Sequence, residues 1–214
     1  MAAEQRIDTM KRIVEATREL LNEQDKPSSR MIADRVGVTS PIIFHYFGDM
    51  EMLALVASYD IVAEYDSKIM HIDYLNNSSL ESFRQVWETY ADYSSKYPNV
   101  FHSLYFGKHG EDINRIKDIY HEIYPEEDMV NDDNKFSPFY HGSDLITRQK
   151  ELLVPLLGEV DSVTSENVDT IAEIHASIIR YVLEYSIANS EEDTRIAADK
   201  LLNLIYFSTG IITK

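Results

Sequence analysis

The stretch Ile32-Ala33-Asp34-Arg35-Val36-Gly37-Val38-Thr39-Ser40-Pro41-Ile42-Ile43-Phe44-His45-Tyr46-Phe47-Gly48-Asp49 decides the fold. Met31, Ile32, Ala33 and Val36 make one short helix, with Ser28 placed as its N-cap and Gly37 as its C-terminal stop. Only Gly37-Val38 separates it from the next start, where Thr39 is an N-cap type and Pro41 lies in the first turn, its missing N–H harmless there. Ile43 and Phe47, four residues apart, point inward, and Gly48 closes this second helix. Before the pair, Ile7, Met10, Val14 and Leu21 recur at helical spacing, widened by Ile13 and Leu20, until Asp25-Lys26-Pro27. Two short helices joined by a tight glycine turn and packed on a preceding helix describe a helix-turn-helix. Asp49 then caps a long helix through Met52, Leu53, Val56, Ala57, Ile61 and Ala63, to about Met70.

The rest of the chain reads as helices too. Leu80, Phe83, Val86, Trp87, Tyr90 and Tyr93 form a stripe closed by Tyr97-Pro98, and helical pieces follow at Val100 to Phe106 and Ile113 to Ile123. Glu126 to Pro138, acidic and poor in apolar residues, reads as a loop. Periodicity resumes from Leu145 to about Gly158, and two apolar helices end the chain, about Glu166 to Asn189 and Glu191 to Ile212. With 7 Gly and 6 Pro in 214 residues, turns are too scarce for a many-stranded sandwich. The expected class is all-α: a three-helix helix-turn-helix domain over residues 1–50 and a larger helical domain over 51–214, joined by the long helix from Asp49.

Composition narrows the function. Hydrophobic residues at 44% and charged residues at 27% describe a globular chain, and with no Cys there is no disulfide, thiolate metal site or cysteine nucleophile. The net charge of −17 argues against phosphate binding, but it is uneven: residues 1–52 hold 7 Lys+Arg against 9 Asp+Glu, the remaining 162 hold 13 against 28. The acidity belongs to the C-terminal part, and the nearly neutral head permits contact with DNA. No apolar leader is visible at the N-terminus, and the longest apolar runs, such as Leu152 to Leu157, are far below the roughly 18 residues of a membrane span. A cytoplasmic protein without membrane contact is expected.

The register Ile32-Ala33, Gly37-Val38-Thr39, Phe44-His45-Tyr46-Phe47, Glu51 and Leu53 resembles the DNA-binding domain of the TetR family of transcriptional regulators, over about residues 5–55. Apart from the family, Ile32, Ala33, Val38, Ile43 and Phe47 turn inward and leave Thr39, Ser40, Pro41, Ile42, Phe44, His45 and Tyr46 on the outer face or leading edge of a helix short enough for a major groove. Hydroxyls and helix N-terminal N–H groups at Thr39 and Ser40 suit phosphates or base edges, Ile42 suits thymine methyls, and Tyr46 and His45 can reach backbone or base. The resemblance adds Arg30, near the start of the preceding helix, to the DNA face. It also shows departures: Phe44 stands where the family often has Tyr, Met50 where a backbone-gripping Lys is common, and Pro41 where Gly is often seen.

Trp87, Tyr90, Tyr93, Phe101, His102, Tyr105 and Phe106 form an aromatic cluster that reads as core or as the wall of a ligand cavity; the resemblance implies such a cavity for an apolar or aromatic small-molecule effector. The last two helices are apolar on so much of their circumference that they need a cover, either the helices from Leu80 to Ile123 or a second copy of the chain. A homodimer through Ile171, His175, Ile178, Val182, Leu201, Leu204 and Ile205 is the expectation, in line with what the resemblance implies. No His-Glu-x-x-His, EF-hand loop, phosphate-cradling glycine loop or Gly-x-Ser-x-Gly elbow occurs, and His102, His109, His121, His141 and His175 have no His four residues away. No metal, no cofactor and no catalysis are expected. The resulting expectation is a ligand-responsive repressor binding double-stranded operator DNA as a homodimer. The alternative is a module of the same fold acting through a protein partner.

Overall fold

The computed structural model describes residues 2–23, 27–110, 113–125, 144–191 and 193–211, and among them every regular element is helical. Two compact units emerge, residues 1–63 with 107–130 and residues 64–106 with 131–214. The expected acidic loop from Glu126 to Pro138 and the end of the last helix at Ile212 lie outside the described residues.

The first unit is built on α1 (Ala2–Glu23), whose inward residues Met10, Ile13, Val14 and Leu20 are sealed from solvent. α2 (Ser29–Val36), α4 (Met50–Ala57) and α8 (Ile113–Ile123) all pack on α1, while α3 (Ser40–Phe47) packs on α2 and α4. The sequence boundary at residue 50 therefore cuts through this unit, because α4 and the distant α8 complete its core with Met52, Leu53, Val56, Ile116 and Tyr120. Burying each such side chain stabilises by about 1.5–3 kcal/mol.

The long helix expected from Asp49 to Met70 is interrupted. α4 ends at Ser58, and α5 (Tyr59–Met70) starts at once. Arg18 explains the break. Its Nε donates to the Ala57 carbonyl at 2.7 Å, so the Ile61 N–H turns to the Ser58 carbonyl at 3.1 Å instead. A guanidinium has taken the acceptor that a continuous helix would have used. Sequence periodicity sees the apolar stripe run on and cannot see this long-range capture.

The second unit holds α6 (Ser79–Lys96), α7 (Pro98–Phe106), α9 (Leu145–Leu153) with a short 3-10 turn (Val154–Leu156), α10 (Val168–Ala188) and α11 (Thr194–Thr209). α10 is central, packing on α6, α7, α9 and α11. Glu159 caps α6 from 80 residues away: its carboxylate accepts the Ser79 and Leu80 N–H groups, each at 3.0 Å. Those two bonds to a helix N-terminus hold its carboxyl below the usual range.

Candidate functional site

Local chemistry fixes the α2–α3 pair. Ser28 Oγ accepts the Met31 N–H at 3.3 Å, and Gly37, at φ +79°, returns its N–H to the Ala33 carbonyl at 2.9 Å. No side chain comes within 4 Å of a Cβ built on Gly37, so the left-handed backbone alone requires glycine there. Arg12 donates to the Val36 carbonyl and so covers the exposed end of α2. Thr39 is extended and starts α3 without a side-chain cap bond. Ile43 and Phe47 are 0% exposed, whereas Phe44 is 42% exposed. Thr39, Pro41 and His45 are exposed, and Ser40, Ile42 and Tyr46 half-buried, so the outer edge of α3 carries the residues expected there. The His45 and Tyr46 rings lean together at 5.4 Å. Arg30 is open to solvent at the start of α2 and meets Asp34 only at 3.9 Å.

At the far end of α3, Asp49 caps α4 by accepting the Met52 N–H at 2.9 Å and also meets Lys108 at 2.8 Å and His109 at 2.9 Å. Partial burial works the other way, but these partners together hold its carboxyl well below the usual range. Sequence reasoning missed Lys108 and His109, since they return to the head from about 60 positions downstream.

Five described cations of α1 and α2 are engaged within the head. Arg6 pairs with Glu122, Lys11 lies over the Tyr124 ring, Arg12 and Arg18 hold carbonyls, and Arg35 bridges Glu19 and Glu23. The exposed edge of α3 therefore offers shape, hydroxyls and apolar surface more than free charge.

The aromatic cluster of the second unit is largely core, with a small cavity inside it. Trp87, Tyr90 and Tyr105 line that cavity together with Tyr65 of α5 and Arg148 and Gln149 of α9, and Val86, Leu152 and Ile179 close it. Its free volume is about 10 Å³, room for about one water. Tyr93, Phe101, His102 and Phe106 do not line it. Tyr93 turns away to donate to Glu64 at 2.7 Å, Phe101 is wedged edge-on against Tyr65 and Tyr90, and His102 and Phe106 face Glu184 and Arg180 of α10. Tyr65, Arg148 and Gln149 were missed. A signal for the last two existed: Leu145, Arg148, Gln149 and Leu152 share one helical stripe, so two polar residues stand on the inward face of α9.

The expected dimer residues need correction. Ile171, His175, Val182, Leu201 and Ile205 are buried in the chain's own core, and Ile178 and Leu204 are half-buried. The outward apolar residues are Ile174 and Tyr181 of α10 and Ile196 and Phe207 of α11, the last 85% exposed. Lys200 joins the two helices, its Nζ 3.6 Å from the Tyr185 ring centre. With apolar residues on nearly all sides, periodicity could not tell which side α10 and α11 give to their own chain.

The fold and site define an all-α, two-unit protein with a helix-turn-helix in its first unit. Residues 13–57 match the family described as bacterial regulatory proteins, tetR family, so the resemblance read from the sequence holds in the head. Two solved structures share the fold over the chain, each at 15% identity and a TM-score of 0.52. One is a TetR-like transcriptional regulator from Rhodococcus sp. RHA1, over 94% of this chain and 96% of that one. The other is Thermus thermophilus FadR, a TetR family transcriptional repressor, in complex with lauroyl-CoA, over 96% of each chain. No curated protein matches the sequence as a relative. No helix among the described residues is long and apolar enough to cross a membrane.

Proposed function

We propose that this protein is a ligand-responsive DNA-binding transcriptional regulator, a repressor released from its operator by a small molecule, and a regulator rather than an enzyme. One observation carries the reading: the α2–Gly37–α3 frame buries Ile32, Ile43 and Phe47 completely while Pro41, Phe44 and His45 stand in solvent on one short helix. The proposed DNA contacts are Arg30, Thr39, Ser40, Pro41, Ile42, Phe44, His45 and Tyr46. Ile42 and His45 select bases, and Arg30 and Tyr46 hold phosphates.

The operator is in the cytoplasm and is read by two heads. The second copy docks on the outward face of Ile174, Ile178, Tyr181, Ile196, Leu204 and Phe207, removing an apolar patch that a lone chain leaves in water. Ligand binding and DNA release are linked through α5. Its first residues belong to the head, where Arg18 lies 3.8 Å from Asp60, and Tyr65 lies on the cavity five residues later. A ligand that displaces Tyr65 moves α5, with a coupling of about 1–3 kcal/mol.

A second reading has its own support: the engagement of Arg6, Lys11, Arg12, Arg18 and Arg35 by internal partners favours a module that acts through a protein partner. A gel shift on DNA upstream of the protein's own coding sequence, at low and moderate salt, separates the two. The regulator reading expects a discrete complex that weakens in Tyr46→Phe and Arg30→Ala. No complex at low salt, or one indifferent to both variants, favours the partner reading.

A further inference from the structure

The cavity of the second unit is unusual in what it leaves unanswered. Trp87 Nε1, the Tyr90 hydroxyl and Gln149 Oε1 are buried and have no hydrogen-bond partner among the described residues, and all three residues line the same small space. An unmet buried polar atom costs about 1–3 kcal/mol, so three around one cavity constitute a standing preference for a polar guest. Arg148, 8% exposed, is the ionic side chain among the described lining residues; it already has partners, the Tyr105 hydroxyl among them, and its guanidinium lies 5.9 Å from the Tyr105 ring centre. Asp66 and Glu151 share its field, but neither lines the cavity.

The rest of the wall is rings. Tyr90 meets Trp87 edge-on at 5.7 Å and Tyr65 at 6.0 Å, and Tyr105 leans on Tyr90 at 6.3 Å. Burial pushes the Tyr65 and Tyr90 phenols well above their ordinary range and Tyr105 up to about 12, so all three keep their protons and can donate. The cavity thus sets an indole N–H, the Tyr90 hydroxyl and a cation beside an acceptor-rich group, aromatic rings beside a planar body, and one carbonyl beside a donor.

Resting on the reading that this unit binds the effector, we propose that the cavity takes a small aromatic carboxylate carrying a hydroxyl or amino donor. The carboxylate is placed on Arg148 and the donor on Gln149 Oε1, with the ring between Tyr90 and Tyr105. At about one water's free volume the cavity is smaller than such a ring, so entry of the ring displaces the lining, Tyr65 of α5 included. The sequence holds a single Trp, and it is Trp87 in this wall, so binding is read directly by fluorescence.

The test uses the full-length protein, with Trp87 emission and melting temperature as readouts. The probes are the three hydroxybenzoates, benzoate, the matching hydroxybenzamides and a long-chain alcohol. At least one hydroxybenzoate is expected to raise the melting temperature and to bind about tenfold or more tightly than its amide. Arg148→Met removes that preference, Arg148→Lys keeps part of it, and Gln149→Leu removes only the preference for hydroxybenzoate over benzoate. Should Arg148→Met fail to fold, Arg148→Lys and Gln149→Leu still decide. Amides binding as well as carboxylates, or a carboxylate preference unchanged in Arg148→Met, overturn the inference. Binding of the alcohol or the amides alone leaves the effector reading standing and removes this one. A panel in which nothing binds removes both.

Discussion

In the first unit, several buried or half-buried polar groups find partners: Arg12 on the Val36 carbonyl, Arg18 Nε on the Ala57 carbonyl, Asp49 on Lys108, His109 and the Met52 N–H. Set against them is Arg18 Nη2, buried with no hydrogen-bond partner among the described residues. In the second, Trp87 Nε1, the Tyr90 hydroxyl, Gln149 Oε1, the Tyr206 hydroxyl and both ring nitrogens of His175 are buried with no hydrogen-bond partner among the described residues. Satisfied networks specify one arrangement, and unsatisfied ones hold stability in reserve for whatever satisfies them. On the proposed function, a head that presents one surface to DNA and a body that responds to a guest would place opposite demands on the same kinds of side chain.

The largest expected effect is in acid, at His175. It is fully buried between Phe83 and Trp87, and desolvation lowers its pKa to about 3. The native state therefore resists a proton that the unfolded chain accepts near pH 6.5, so this group costs no stability above 6.5 and destabilises increasingly from 6.5 down to about 3. Over that window the loss reaches about 5 kcal/mol, and urea midpoints of His175→Leu against wild type should show it as a shallower acid slope in the variant. Equal slopes would mean that His175 has a partner in solution.

Next in size is a contrast between units. Phe47→Ala empties a sealed position in the head and should cost about 3–5 kcal/mol in urea unfolding. Tyr90→Phe removes only an orphan hydroxyl and should be neutral or mildly stabilising. A destabilised Tyr90→Phe would show that the hydroxyl is already satisfied and would weaken the contrast.

Glycine turns sharpen it further. Gly37→Ala meets open space and should cost about 1–2 kcal/mol for its positive φ alone. Gly210→Ala carries the same kind of φ, and its new Cβ collides with Ser162 Oγ and Cβ, so it should lower the melting temperature more than Gly37→Ala does. Smaller than either glycine change is Ser28→Ala, about 1 kcal/mol, from loss of the α2 cap.

The head was legible because its determinants are local. Ser28, Gly37, Thr39, Pro41 and the Ile43–Phe47 spacing each act within a turn or two, and the structure places them as read. What escaped depends on distant pairs: Arg18 breaking the helix at Ser58, Lys108 and His109 reaching Asp49, and α8 completing the head's core. In the body, Trp87, Tyr90 and Tyr105 were picked out as aromatic. Which rings face the cavity depends on the rotation of α6 and α7 against α10, and composition does not carry that rotation. The same ambiguity turned Ile171, His175, Val182, Leu201 and Ile205 into interface candidates when they are core.

The central claim, that α3 reads DNA, is tested most directly by selecting bound fragments from a library of the protein's own genomic DNA. Wild type is compared with an Ile42→Ala, His45→Ala double variant, and the selected fragment is titrated between about 50 and 200 mM salt. The account expects enrichment of a sequence with two related half-sites, loss of that enrichment in the variant, and a shallow salt slope because Arg6, Lys11, Arg12, Arg18 and Arg35 are engaged within the head. No enriched sequence, or the same enrichment in the double variant, would contradict it.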